Sequence, residues 1–313
     1  MDTKIQGKRD KLITIVGPTA VGKTDLTLQL AKHFGTEIIS GDAYQIYKKL
    51  NIGTAKPSPE ELSTVKHHLI DILKPEDSYS VALFKRQCET IISKLNEVGK
   101  LPLLSGGTGL YVQALLEGYQ LSEVKRDTDL RAQLDDIYNK NGIEGLLTYA
   151  KTLAKPLGVE IPFTDKHRLY RTIELLKAGD GKTLQSQNKA GLVYDGSVIG
   201  LQRDRDVLYK RINLRVDIMV EKGLFEEVEQ LLAEGISPNC QAFKGIGYKE
   251  VVSYLHGEIT RDRAIELIKQ NTRHFAKRQI TWYKRMPYIQ WITIDSQMTE
   301  EMIFDKAMTY LQF

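Results

Sequence analysis

The run Gly17-Pro18-Thr19-Ala20-Val21-Gly22-Lys23-Thr24 fits the pattern GxxxxGK[ST]. Its glycines let a backbone wrap closely around phosphate oxygens, and N–H groups at the start of the following helix meet their charge. Lys23 supplies a point charge, and the Thr24 hydroxyl is of the kind that ligates Mg²⁺. The chemistry expected of Gly17, Pro18, Thr19, Ala20, Val21, Gly22, Lys23 and Thr24 is therefore the holding of a diphosphate or triphosphate. A second candidate is Asp42, within Ile38-Ile39-Ser40-Gly41-Asp42-Ala43-Tyr44-Gln45-Ile46-Tyr47. At the carboxyl end of a strand it would share the rim on which open α/β sheets bind ligands. There it could accept a proton from an attacking amine or hydroxyl, or serve only as a helix N-cap. His68-Leu69-Ile70-Asp71 has the form of a strand ending in a second Mg²⁺ ligand, as in kinases and nucleotide triphosphatases.

These residues need a sheet to position them, and the first third of the chain has the texture of βαβ units. Strand-like runs are read at 12–16, 37–40, 68–72 and 101–104, with helices at 23–34 and 81–98, the second stopped by Gly99. A Gly-rich turn at 105–109 leads into a helix at 110–116. After Gly118 the polar helical segments 129–139 and 143–151 predict an inserted helical domain over 119–199. A strand at 198–201, long amphipathic helices and a last strand at 288–294 complete the core. The fold class is thus α/β: a P-loop parallel sheet flanked by helices, built from 1–118 and 200–313, with a helical insertion.

With 42% hydrophobic and 27% charged residues, the chain belongs with ordinary globular proteins rather than disordered or fibrous ones. No apolar run approaches the roughly 20 residues of a membrane span, and the polar start, MDTKIQGKRDK, reads as a frayed lead-in without a secretory signal. Two cysteines, Cys88 and Cys240, suggest a reducing cytoplasm. The net charge of +4 says little, but 268–285 carries Lys269, Arg273, Lys277, Arg278, Lys284 and Arg285 with no acidic residue. Lys269, Arg273 and Lys277 recur every four residues, a cationic stripe suited to RNA phosphates or to a solvated helix face. At this level a P-loop kinase of a small molecule or nucleotide, and an RNA-binding protein with a regulatory nucleotide site, both stay open.

The P-loop, the run 42–47 followed by Asn51-Ile52-Gly53-Thr54-Ala55-Lys56-Pro57, His67 to Asp71, and Gly106-Gly107-Thr108-Gly109-Leu110-Tyr111 resemble consecutive signatures of the tRNA dimethylallyltransferases. The resemblance continues through 208–216, Gly245-Ile246-Gly247-Tyr248-Lys249-Glu250, and 273–282, so it spans nearly the whole chain. It implies transfer of the dimethylallyl group of dimethylallyl diphosphate to N6 of the adenosine 3′ of the anticodon, with diphosphate released and Mg²⁺ as cofactor. It further implies catalytic roles for Asp42 as general base, for Thr19, Lys23 and Arg215 on the diphosphate, and for Thr108 against the substrate. From the residues alone, Arg211 and Arg215 would be a solvated i, i+4 pair. Contacts to the tRNA anticodon stem-loop carry over to Asp42, Ala43, Tyr44, Gln45, Thr108, Arg131, Lys166, His167, Arg168, Leu169, Tyr170, Lys244, Gly245, Ile246, Gly247, Tyr248 and Lys249. Lys277 and Arg278 join them from the basic run, and a monomer is the family expectation. Ala43 stands where many members have Ser, and Gly41 where an apolar or small residue is usual. Residues 155–163 diverge, while Asp165, Arg168, Arg171 and Glu174 match.

Overall fold

Ile13–Val16 (β1) reads Ile-Thr-Ile-Val and is buried at every position, the texture of a parallel strand covered by helices on both faces. The computed structural model that contains it describes residues 9–122, 124–181, 184 and 191–311. The polar lead-in at 1–8 lies outside the described residues, as do 123, 182–183 and 185–190 of the expected insertion. After β1 come Lys23–Phe34 (α1), Ile38–Ser40 (β2), Pro59–Thr64 (α2), His67–His68 (β3), Val81–Glu97 (α3), Leu103–Gly106 (β4) and Gly109–Leu116 (α4). The inserted stretch holds Thr128–Ala154 (α5) and Lys166–Lys177 (α6). Then follow Val198–Arg203 (β5), Arg205–Glu221 (α7), Leu224–Ala233 (α8), Tyr248–Leu255 (α9), Arg261–Tyr283 (α10), Ile289–Ile294 (β6) and Glu300–Tyr310 (α11).

The six strands pair in parallel in the order β3-β2-β4-β1-β5-β6. Val16 lies beside Gly106 on one side and Gly200 on the other, so the P-loop leaves the middle of the sheet. Neighbouring strands β2 and β4 bring Asp42 and the Gly-rich turn to the same rim. Gly41, the departure before Asp42, is explained by proximity: a Cβ there would stand 3.0 Å from the Gly106 Cα. Two apolar clusters cover the sheet, one including Val16, Ile39, Leu104 and Val112, the other including Ile13, Ile15, Leu30 and Ile199.

The strand expected at 68–72 is shorter than its composition suggests. β3 ends at His68 because Leu69 and Asp71 take left-handed φ values of 62° and 54°. The backbone there turns to bond the Asp42 loop, with Asp71 N donating to the Gln45 carbonyl at 3.2 Å. Asp71 itself accepts Lys56 Nζ at 2.5 Å, so it is not the second Mg²⁺ ligand that a strand ending would have made it.

The chain divides into two compact units, Met1–Leu116 with Leu192–Phe313, and Glu117–Gly191. Residues 192–199, expected in the insertion, belong with the sheet: Val193 N donates to the Leu116 carbonyl, and Val198 opens β5. Inside the smaller unit, α5 breaks at Gly142, whose φ of 63° and ψ of −159° no helix accommodates. Asp127 and Asp165 cap α5 and α6. Leu130, Leu134, Leu146, Ala150, Leu169, Tyr170 and Ile173 pack as this unit's own core.

At that unit's centre Glu174, 2% exposed, accepts Arg131 Nε at 2.5 Å and Nη2 at 3.1 Å, and Arg171 Nη1 at 3.3 Å. The two guanidiniums outweigh burial and hold its carboxyl below the usual range. Arg131, expected against RNA, is thereby committed to its own fold. Arg131→Ala leaves a buried carboxylate short of its main partner and is expected to destabilise this unit by about 3–5 kcal/mol. Hydrogen exchange of α5 and α6 measures it, and an unchanged exchange pattern returns Arg131 to a surface role.

Candidate active site

Lys23 opens α1, and its Nζ donates to the carbonyls of Gly17 and Pro18, each at 2.9 Å. Burial first, and the Arg215 charge second, bring its pKa down to about 7, against an opposing pull from Asp42. Three arginines reach the outside of the loop: Arg203 Nε donates to Val21 O and Arg211 Nε to Ala20 O, both at 2.9 Å, while Arg215 Nη1 lies 3.5 Å from Thr19 Oγ1. Desolvation first, and the Arg211 charge second, lower the Arg203 and Arg215 pKa values against an opposing pull from Asp25. Arg215 is thus half-buried rather than solvated, while Arg211 stays exposed but is tied to the loop through Ala20 O. Arg203 carried no signal in its own neighbourhood, because β5 brings it to the P-loop from 182 residues away.

Gln279 of α10 is the second residue that local pattern misses. Buried at 4% exposure, it accepts the Thr19 N–H at 2.9 Å and donates to Gly107 O at 2.8 Å. One side chain thus joins the P-loop to the Gly-rich turn. Thr108 ties that turn to the Asp42 loop: its Oγ1 accepts the Ala43 N–H at 3.1 Å, and its N–H donates to Gly41 O at 3.3 Å.

The helix N-cap reading of Asp42 is corrected: the backbone after it bends and turns through 43–46 and opens no helix. Asp42 Oδ1 accepts the N–H groups of Tyr44 at 2.8 Å and Gln45 at 3.2 Å, the bonds of an Asx turn, and Oδ2 takes no part in them. Burial pushes its pKa up, against the lowering effects of the two N–H donors and Lys23. A desolvated carboxylate with one oxygen uncommitted is a stronger base than an exposed one. Thr19, Lys23, Thr24, Asp42, Arg215 and Gln279 line a single cavity of about 280 Å³. Thr24 is exposed into it. Among the described residues no group of three or more His, Cys, Asp or Glu could hold a metal. One hydroxyl together with phosphate oxygens suits Mg²⁺, which keeps few protein ligands.

The remaining expected contacts divide by exposure. Lys244 and Lys249 are exposed and Ile246 half-buried, whereas Gly245 and Gly247 are buried and Tyr248 is 1% exposed. The Tyr44 ring lies against Gly245, 3.1 Å from where a Cβ would stand. In the smaller unit His167 and Arg168 are exposed and Lys166 pairs with Asp135 at 2.9 Å. Leu169 is fully buried and Tyr170 donates to Asp135 from within the core, so neither of these two side chains is the RNA contact expected of it. The cationic stripe is also corrected. Lys269 pairs with Asp217 at 2.5 Å and Arg273 donates to Asn213 at 2.7 Å, both on α7, which leaves Lys277 and Arg278 exposed.

The geometry has counterparts among known proteins. A family model described as IPP transferase matches residues 45–286, and one described as isopentenyl transferase matches 10–75. The chain is 43% identical over 308 residues to a tRNA dimethylallyltransferase of Carboxydothermus hydrogenoformans, covering 96% of this chain and 97% of the relative. Among solved structures it is similar to the full-length tRNA isopentenylpyrophosphate transferase of Bacillus halodurans, with 39% identity, a TM-score of 0.71, and coverage of 96% of this chain and 97% of that one. A eukaryotic dimethylallyltransferase acting on tRNA aligns with a TM-score of 0.75 at 26% identity, over 92% of this chain and 74% of its own. A P-loop whose cations and facing carboxylate share one cavity, carried on a sequence matched from end to end, places the chain in the IPP transferase family, among the tRNA dimethylallyltransferases.

Proposed function

We propose that the P-loop holds dimethylallyl diphosphate and that Asp42 accepts the proton from the attacking N6 amine of the adenosine 3′ of the anticodon. The observation that carries this reading is that Asp42 and Lys23 line the same cavity as Arg215 and Gln279. The N6 lone pair forms the new carbon–nitrogen bond as the allylic carbon–oxygen bond breaks, and that electron pair leaves with diphosphate. The N6 proton passes to Asp42 Oδ2. Charge grows on the leaving oxygens, and cations such as Lys23 and Arg215 lining the same cavity stabilise that charge more in the transition state than in the ground state. Mg²⁺, held by Thr24 and the diphosphate, would neutralise further leaving-group charge. The adenine has to leave its stack to reach this cavity.

In this reading the RNA is contacted by exposed groups, Lys244 and Lys249 near the Asp42 loop, Lys277 and Arg278 on α10, and His167 and Arg168 of the smaller unit, together with the half-buried Lys166. The enzyme acts as a monomer in the cytoplasm. Two free cysteines, and the lack of any helix long and apolar enough to cross a membrane among the described residues, support that setting. The test is incubation with unmodified tRNA, Mg²⁺ and labelled dimethylallyl diphosphate, with labelled ATP in a parallel reaction. Label is expected in tRNA from the prenyl donor alone; phosphate transfer from ATP, or RNA binding without turnover, would overturn it. Lys277→Ala with Arg278→Ala is expected to weaken tRNA binding and to reduce its salt slope by about 1 for each phosphate no longer neutralised. Unchanged affinity across a salt titration would mark both as solvated surface.

A further inference from the structure

Glu227, on α8 and outside the catalytic cavity, gathers an unusual number of donors. Its Oε2 accepts the backbone N–H groups of Asn51 and Ile52, each at 2.9 Å. Its Oε1 accepts Ile52 N at 3.2 Å, Gly53 N at 3.4 Å and the Tyr248 hydroxyl at 2.7 Å. Three consecutive N–H groups around one carboxylate form a nest, with the anion supplied by the protein itself. The loop fits this seat tightly: a Cβ at Gly53 would stand 2.5 Å from the Tyr248 ring.

The same loop continues into the cavity, which Thr54, Ala55, Lys56 and Pro57 line. Ala55 holds a φ of 49°, a left-handed conformation that an alanine keeps only where its surroundings enforce it. From the far end the Lys56 ammonium, its side chain 4% exposed, bonds Tyr47 O at 2.9 Å, Asn51 Oδ1 at 3.0 Å and Asp71. Gln45 then links loop to base. Its Nε2 donates to Thr54 O at 3.3 Å and Ala55 O at 3.2 Å, its Oε1 accepts Ser40 Oγ at 2.9 Å, and its own N–H is one of the two donors to Asp42 Oδ1.

We propose that Glu227 is a positioning residue for the transfer reaction: it seats residues 51–53, and through Thr54, Ala55 and Gln45 it sets the orientation of Asp42. This rests on Asp42 being the base. Glu227→Gln keeps the shape but turns one lobe of the side chain into a donor facing donors, so the seat loosens without a cavity forming. The P-loop contacts run through other residues and are expected to hold.

The test is a kinetic double-mutant cycle. Glu227→Gln is expected to lower kcat about 10–100-fold, the effect of a misplaced reacting group, with KM for dimethylallyl diphosphate unchanged within about 2-fold. Gln45→Ala is expected to act similarly, and the double variant to fall no further than the worse single one, because both cut one chain of contacts. Losses that multiply, or a kcat that does not fall, would overturn the proposal, as would a rise in donor KM equal to the loss in kcat. If Glu227→Gln does not fold, Glu227→Asp, which keeps the charge but withdraws it by one methylene, takes its place in the cycle. Failure of the base assignment shows separately, as full turnover by Asp42→Asn.

Discussion

Asp42→Asn is expected to reduce kcat by about 10²–10⁴-fold, the range for loss of a positioned general base, with tRNA and donor affinities unchanged. The substitution is isosteric, and the amide oxygen still accepts the Tyr44 and Gln45 N–H groups, so the loop keeps its Asx-turn bonds. Only the proton acceptor is lost. Stability provides an independent reading. Burial raises the folded-state pKa of Asp42 above its usual 3.8, so above that value the folded protein bears the cost of a desolvated charge that the unfolded chain does not. This contribution opposes folding at neutral pH and disappears below about pH 4, where both states are protonated. Asp42→Asn is therefore expected to raise Tm at pH 7 and to lose that advantage near pH 4, the trade of stability for function seen at active sites. A kcat within a few fold of the parent would remove Asp42 from catalysis. A lowered Tm at pH 7 would instead make it chiefly a brace for its own turn.

Lys23→Met is expected to have the second large effect, a fall of about 10²–10³-fold in kcat, comparable to losing one preorganised donor to a developing anion. Methionine keeps most of the side-chain length, so the buried packing around this position changes little. The ammonium sits between Asp42 and Arg215 in charge terms, and it already faces the carbonyls of Gly17 and Pro18 in the loop that is to hold the diphosphate. Because leaving-group charge is greatest in the transition state, kcat is expected to fall by more than donor affinity does. Single-turnover transfer with donor titration separates the two quantities. Equal losses in both would make Lys23 a ground-state anchor only.

The P-loop turn was legible in the chain because its pattern is local: a strand, a glycine-bearing turn and a helix start are contiguous. Strand β1, helix α1 and the break near Gly142 were readable for the same reason. The strand at 68–72 was misread because composition reports only that Leu69 and Ile70 are apolar. That Leu69 and Asp71 turn left-handed is settled by hydrogen bonds to residues 45 and 46, which only the folded chain brings near. The basic stripe on α10 was a correct statement about helical spacing. Whether Lys269 and Arg273 were free depended on Asp217 and Asn213 of α7, which sequence spacing does not see.

By itself, then, the sequence determined a P-loop pattern between strand and helix, a parallel α/β sheet to carry it, a carboxylate on the same rim, and, through its motif order, a family. Tertiary structure alone decided which distant groups meet: Arg203 and Arg211 beside the loop, Gln279 between P-loop and Gly-rich turn, and, outside the cavity, Glu227 bonded to the N–H groups of 51–53. It also buried Leu169 and Tyr170 and paired Arg131 with Glu174 inside the smaller unit. The physical reason is range. Propensity, capping and phosphate-binding geometry act over a few neighbouring residues, whereas desolvation and charge pairing depend on what the fold places within a few ångströms.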